Sequence, residues 1–118
     1  MLTRIAAAAA ALALAFALTA CGGASKPELV PSAVGVEPVV TVIAIDNRYE
    51  PEVVEIEAGQ AVRWVFQGSM EHDVVAADGS FVSELQTTGE YIHVFDTPGE
   101  FAYDCSIHPE MTGKVIVK

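Results

Sequence analysis

Between residues 38 and 118, apolar and polar residues alternate in short runs that are separated by turn residues. In the run Ala61 to Gln67, the residues Val62, Trp64 and Phe66 occupy every second position and therefore share one face of a predicted strand. We expect Trp64 to lie in a core between two sheets. Similar runs recur with turns every eight to twelve residues, which predicts an all-β sandwich of seven or eight short strands.

Other segments of the chain differ in how clearly their pattern predicts a strand. The residues from 81 to 89 are the least regular, and we expect a loop or one helical turn there. The stretch Tyr103 to Met111 is predicted as a loop between two strands. The other predicted strands are Val39 to Ile45, Val53 to Glu57, His72 to Ala76, Glu90 to Phe95, Glu100 to Asp104 and Gly113 to Lys118.

The first twenty residues do not share this pattern. A short start with one positive charge precedes a run of Ala, Leu and Phe that is too short to cross a bilayer comfortably, which is typical of a secretory signal peptide. The end of this run, Leu18 to Cys21, is similar to the lipobox of bacterial lipoproteins, in which the cysteine is acylated. We expect a signal peptide over 1–20, a lipidated Cys21 with a flexible linker over 21–37, and one domain over 38–118. The alternative is a plain secreted protein in which Cys21 is incidental.

The charge of the chain narrows the range of partners. The sequence has 16 acidic and 6 basic residues for a net charge of −10, and removing residues 1–20, which include Arg4, leaves −11. Nucleic-acid binding requires a basic face, so we expect no nucleic-acid partner.

Three possible metal ligands lie within seven residues near the C-terminus: Cys105, His108 and Met111. A thiolate strengthens Cu(I) binding, an imidazole accommodates both oxidation states, and a weak axial thioether suits a centre that cycles between them. A fourth ligand is expected upstream. His72 follows a loop, where functional groups are common, whereas His93 lies within a predicted strand, so His72 is favoured. Two His, one Cys and an axial Met form a blue-copper electron-transfer site. Met70 is the reserve candidate for the axial position.

At these residues the chain resembles the cupredoxin family of type 1 copper proteins, in its plastocyanin and amicyanin group. The short spacing Cys105-Ser-Ile-His108-Pro-Glu-Met111 is similar to that of amicyanin, and the resemblance extends over about residues 38–118. It implies a Greek-key sandwich, one copper ion and the ligands His72, Cys105, His108 and Met111. It also implies that Asp73 bridges to Ser106, and that the Asp73 amide hydrogen-bonds the Cys105 sulfur. Family members often have Asn at the Asp73 position, and a carboxylate there would favour Cu(II) and lower the reduction potential.

Other chemistry fits the cysteines and histidines less well. The first guess for an exported chain with two Cys is a disulfide, but a lipidated Cys21 would leave Cys105 without a partner. Structural zinc calls for four strong ligands, and c-type haem needs a second Cys close by. A Cys-His hydrolase would need an oxyanion loop or a substrate domain, which the sequence does not indicate.

We therefore expect an electron carrier rather than an enzyme, with a copper carrier or buffer as the alternative. It would be a monomer, lipid-anchored on the outer face of the cell membrane or in the periplasm. Its partners would be redox proteins, such as a basic cytochrome or dehydrogenase. They would dock on an apolar patch that His108, Ile107 and Pro109 form. Acidic residues are expected around that patch: Glu71, Asp73 and Glu110, with Asp104 further in. They either steer the basic partner or simply keep a small exported domain soluble.

Overall fold

A computed structural model describes residues 25–118 of the chain, and these residues form eight β-strands. No part of this range forms a helix with the length and apolar character needed to cross a membrane. The strands are β1 (Val40–Ile45), β2 (Arg48–Glu50), β3 (Val53–Ile56), β4 (Gln60–Phe66), β5 (Val75–Ala76), β6 (Gly89–Phe95), β7 (Gly99–Cys105) and β8 (His108–Val117).

The strands form two four-stranded sheets, in the orders β2-β1-β4-β6 and β3-β8-β7-β5. Each sheet contains one parallel pair, β1 with β4 and β3 with β8, and its other pairs are antiparallel. The predicted all-β sandwich of seven or eight strands is therefore confirmed.

Trp64 lies at the centre of the core, as its alternating pattern predicts. Its side chain is 0% exposed, and in β4 it pairs with Tyr91 of β6. Its ring stacks on that of Phe81 at 5.5 Å and meets that of Tyr103 edge-on at 5.4 Å between centroids. Offset and edge-to-face contacts of this kind add to the stabilisation that comes from burying the rings.

The region before and after β5 differs from the expected continuous strand. Only Val75–Ala76 forms a strand, and His72 pairs with Gln86 in an isolated bridge. No helical turn forms between residues 81 and 89. Instead, the Ser83 hydroxyl accepts a hydrogen bond from the Val74 amide, and the Ser83 amide donates to the Val74 carbonyl. These contacts hold the backbone next to His72 in place, although no regular strand pairing forms there.

Residues 25–39, which we call the N-terminal segment, contain no strand but hydrogen-bond to the sandwich. The Val30 amide donates to the Val82 carbonyl at 2.9 Å, and the Ala33 amide donates to the Ile92 carbonyl at 2.8 Å. The expectation of a flexible linker up to residue 37 thus differs from the structure, because this irregular backbone finds partners on β6 and on the loop before it. The predicted signal peptide and Cys21 lie outside the described residues.

Candidate metal centre

Cys105 and His108 flank the tight turn between β7 and β8. Cys105 is the last residue of β7 and pairs with His108, the first residue of β8, so that only Ser106 and Ile107 form the turn. The loop is therefore shorter than the sequence indicates. The register shifts at this point, because Asp104 pairs with Thr112 and residues 109–111 have no opposite partner. A bulge of this kind re-aims side chains at the rim of a sheet.

His72 meets these residues from a distant part of the chain. Its Nδ1 lies 3.9 Å from the Cys105 sulfur, and the His108 Nδ1 lies 3.7 Å from the same sulfur. One ligand atom from each of the three residues lies within 4.8 Å of those of the other two. The structure thus brings three of the four expected ligands into one cluster at the end of the β7–β8 hairpin.

These spacings fit a metal ion. Bonds of about 2.3 Å to a thiolate and about 2.0–2.1 Å to an imidazole, at trigonal angles, place sulfur and nitrogen about 3.8 Å apart. The observed distances of 3.7 and 3.9 Å bracket that value. Among residues 25–118, Cys105 is a free and fully buried cysteine, so its thiol is available to a metal ion.

Two methionines were candidates for the weak fourth ligand, and their exposure separates them. Met111, on the bulged part of β8, is 1% exposed and belongs to the same buried cluster as Cys105. Met70 is 51% exposed. Burial in the same core as Cys105 favours Met111 over the exposed Met70 for the weak fourth ligand.

His93 lies apart from this cluster. It is half-buried in β6, and its ring packs against Phe81 at 5.1 Å and Phe95 at 4.8 Å. Burial lowers the pKa of His93, and the negative charges of Asp96 and Asp78 partly offset this effect. It is a packing residue, as its mid-strand position suggests.

To bind a metal, a histidine must be a neutral imidazole and a cysteine must be a thiolate. The surroundings of the cluster favour this form for His72 and disfavour it for Cys105. Burial and then the neighbouring His108 lower the pKa of His72, which favours the neutral imidazole. Burial raises the pKa of Cys105. Hydrogen bonds to its sulfur partly offset this rise, and they come from the backbone amides of Asp73, Ile107 and His108. A bound cation would favour the thiolate form of Cys105.

Asp73 joins the two parts of the chain that carry the cluster. Its carboxylate accepts hydrogen bonds from the Ser106 amide at 2.7 Å and from the Ser106 hydroxyl at 2.5 Å. The bridge that the resemblance implies is therefore present. The placement of Asp73 among surface acids is wrong, because its side chain is 0% exposed. Its hydrogen-bond donors draw the carboxylate inward.

Sequence reasoning missed two partners of Asp73. Lys26 forms an ion pair with its carboxylate at 2.8 Å, and Tyr49 donates its hydroxyl hydrogen to its backbone carbonyl at 2.5 Å. Lys26 lies in a Pro- and Gly-containing stretch without periodicity, and no pattern there indicates a contact. Tyr49 follows the Asp46-Asn47 turn, where its buried position was not predicted.

A two-sheet β-sandwich with a Cys and two His clustered at one end defines the class of type 1 copper proteins. Comparison with known proteins supports the same class. Residues 7–117 match the Cupredoxin-like domain, and the chain belongs to this family. It is 34% identical over 116 residues to amicyanin-alpha of Methylorubrum extorquens, a match that covers 93% of this chain and 95% of that protein.

Two further proteins extend the comparison. The chain is 37% identical over 84 residues to the chloroplastic plastocyanin of Tetradesmus obliquus, a match that covers 59% of this chain and 58% of that protein. The crystal structure of amicyanin from Paracoccus versutus superposes with a TM-score of 0.62 at 32% identity, and covers 80% of this chain and 96% of that one. The cofactor of this chain is one type 1 copper ion, which fits the donors found here.

Proposed function

We propose that this protein is a single-electron carrier, in which His72, Cys105 and His108 would hold copper and Met111 would be a weak fourth ligand. The observation that carries this proposal is the convergence of two imidazole nitrogens on one buried sulfur at 3.7 and 3.9 Å. A copper ion bound there supplies the Cu(II)/Cu(I) couple.

The residues of the chain have distinct roles in this proposal. Cys105 provides a strong, soft ligand, and the two imidazoles accommodate both oxidation states. Cys105 and His108 sit at the ends of paired strands, and the bridges to Gln86 fix His72. Because the sandwich holds the ligands, little rearrangement accompanies a change of oxidation state. This is the behaviour of a carrier rather than of an enzyme.

Electrons would leave through the His108 end of the molecule. His108 is half-buried, while the adjacent Ile107 is 49% exposed and Pro109 is exposed. These residues offer a small apolar surface for a redox partner. Glu71 and Glu110, which we call the acidic rim, are exposed next to His72 and Pro109 and would attract a basic partner such as a cytochrome or a dehydrogenase. We propose that the carrier acts as a monomer.

We also propose that the protein is exported and anchored through Cys21, on the outer face of the cell membrane or in the periplasm. The sequence Leu18 to Cys21 after an apolar run supports this proposal. Cys21→Ser should abolish incorporation of labelled fatty acid and leave unprocessed precursor. Equal labelling of the wild type and the variant would contradict the anchor.

The electron-transfer proposal is tested by adding Cu(II) to the copper-free chain and recording its visible spectrum. One equivalent should give an intense blue colour that ascorbate removes and reoxidation restores. Cys105→Ser should stay colourless with Cu(II). Cys21→Ser, which removes the other cysteine, should turn blue like the wild type. A wild-type complex that binds copper without colour would contradict electron transfer and favour the alternative, a copper carrier.

A further inference from the structure

Lys26, in the N-terminal segment, reaches the surroundings of the metal cluster. Its Nζ lies 2.8 Å from Oδ2 of Asp73, and the side-chain exposures of the pair are 26% and 0%. The same carboxylate accepts both hydrogen bonds from Ser106. Because Asp73 follows His72 and Ser106 follows Cys105, Lys26 contacts the link between the two ligand-bearing parts of the chain.

The position of Lys26 is supported by the segment that carries it. Downstream of Lys26, the Val30 and Ala33 amides donate to carbonyls of the sandwich, and Tyr91 donates its hydroxyl hydrogen to the Val30 carbonyl at 3.1 Å. The Ser32 hydroxyl accepts a hydrogen bond from the Ile92 amide at 2.9 Å. These contacts restrict the segment independently of the ion pair, so forming the pair costs less conformational entropy than it would on a free chain.

Because Asp73 is buried, its negative charge affects both the stability of the protein and the metal centre. Burial alone disfavours a charged carboxylate, but Lys26 at 2.8 Å and the two hydrogen bonds from Ser106 favour the charged form of Asp73. A buried carboxylate without a counterion is strongly destabilising. Near a copper ion it would also favour Cu(II), which carries one more positive charge than Cu(I). Lys26 is the cation that forms an ion pair with this group in the described structure.

We propose that Lys26 is a positioning residue of the metal centre. It neutralises Asp73, so that this carboxylate can hold the His72 and Cys105 parts of the chain together without lowering the reduction potential. The proposal rests on the copper site proposed above. It revises the expectation that Asp73, as a carboxylate, lowers the potential, because the ion pair as a whole carries no net charge.

The test measures the reduction potential of the purified full-length chain and its variants. Lys26→Met should shift the Cu(II)/Cu(I) equilibrium about tenfold toward Cu(II), which is about 59 mV for one electron. Lys26→Arg, which keeps the charge, should stay near the wild type. In an Asp73→Asn background, Lys26→Met should lose most of its effect, because the ion pair that holds the Lys26 charge beside the metal centre is already gone.

Lys114→Met is the matched control. It also removes one positive charge, but Lys114 faces Glu100 at 3.8 Å in an exposed pair between β7 and β8. If Lys26→Met and Lys114→Met change the potential equally, or if the effect of Lys26→Met persists in the Asp73→Asn background, the proposal is wrong.

A second measurement uses the copper-free protein and separates this proposal from the copper assignment. Limited proteolysis should cut the N-terminal segment faster in Lys26→Met than in Lys114→Met or Lys26→Arg. Equal cleavage in all three variants would overturn the positioning role. A wild-type chain that stays colourless with Cu(II) would instead contradict the proposed electron transfer, and cleavage would then decide the role of Lys26 alone.

Discussion

Tyr49 donates its hydroxyl hydrogen to the backbone carbonyl of Asp73, the residue that follows His72, at 2.5 Å. Tyr49 is 2% exposed in β2, and its ring meets that of Tyr103 edge-on at 4.7 Å between centroids. An edge strand of one sheet thereby supports the part of the chain that presents His72. The metal cluster depends on both sheets of the sandwich and not only on the β7–β8 hairpin.

Tyr49→Phe should therefore destabilise the copper-free protein by about 1–2 kcal/mol, because it leaves a buried carbonyl without a donor. Urea unfolding measures this change. Tyr91→Phe is the control, since its hydroxyl bonds the Val30 carbonyl at a longer 3.1 Å in a partly buried site, and it should cost less. A larger loss for Tyr91→Phe would contradict this ranking.

Gly113, in β8, lies against the ring of Tyr103 on β7. A Cβ atom added at Gly113 would overlap the Tyr103 ring. Gly113→Ala should destabilise the protein by about 1–3 kcal/mol, the usual cost of overpacking. The cost should be much smaller in a Tyr103→Leu background, in which the overlapping ring atoms are absent. Additive losses in a double-mutant cycle would show that the clash is not the cause.

His93 should make the stability of the copper-free protein depend on pH. Burial lowers the pKa of His93, and the charges of Asp96 and Asp78 partly offset this effect. As the pH falls, His93 is therefore protonated at a higher pH in the unfolded chain than in the folded protein. The stability that His93 contributes is then fully present above its unfolded pKa of about 6.5, and is lost as the pH falls toward the lower folded value.

His93→Gln should accordingly lose less stability than the wild type between pH 7 and pH 5. Urea midpoints at several pH values measure the difference, in which contributions from His72 and Cys105 cancel because both proteins contain them. Parallel curves for the two proteins would contradict the role of His93.

The sequence predicted those parts of the molecule that follow from a repeating pattern or a fixed spacing. Strand β6 was expected at Glu90 to Phe95 and is found at Gly89–Phe95, because its alternation is regular. The Cys105-His108 spacing indicated a cluster, and the cluster is present. The burial of Asp73 could not be predicted, since an acid beside a loop is usually exposed. Its ion-pair partner, Lys26, lies in a segment without periodicity.

The burial of Asp73 also changes the expected docking surface, because Glu71 and Glu110, the acidic rim, are the expected acids that are exposed next to the proposed patch. Steering by exposed charges weakens with salt, since the screening length falls from about 30 Å at 0.01 M to about 8 Å at 0.15 M. The rate of electron transfer with a basic redox protein should fall several-fold over this range, as stopped-flow absorbance would measure. Glu110→Lys should flatten that dependence.

The matched control for this experiment is Glu57→Lys. It makes the same change in net charge, but Glu57 is exposed just after β3, where Ile56 pairs with Val117, at the end of β8 opposite to His108. If steering acts through the acidic rim, Glu57→Lys should reduce the salt dependence less than Glu110→Lys does. Equal flattening by both variants would mean that the partner responds to the net charge of −10 as a whole, and that docking is not directed by the rim.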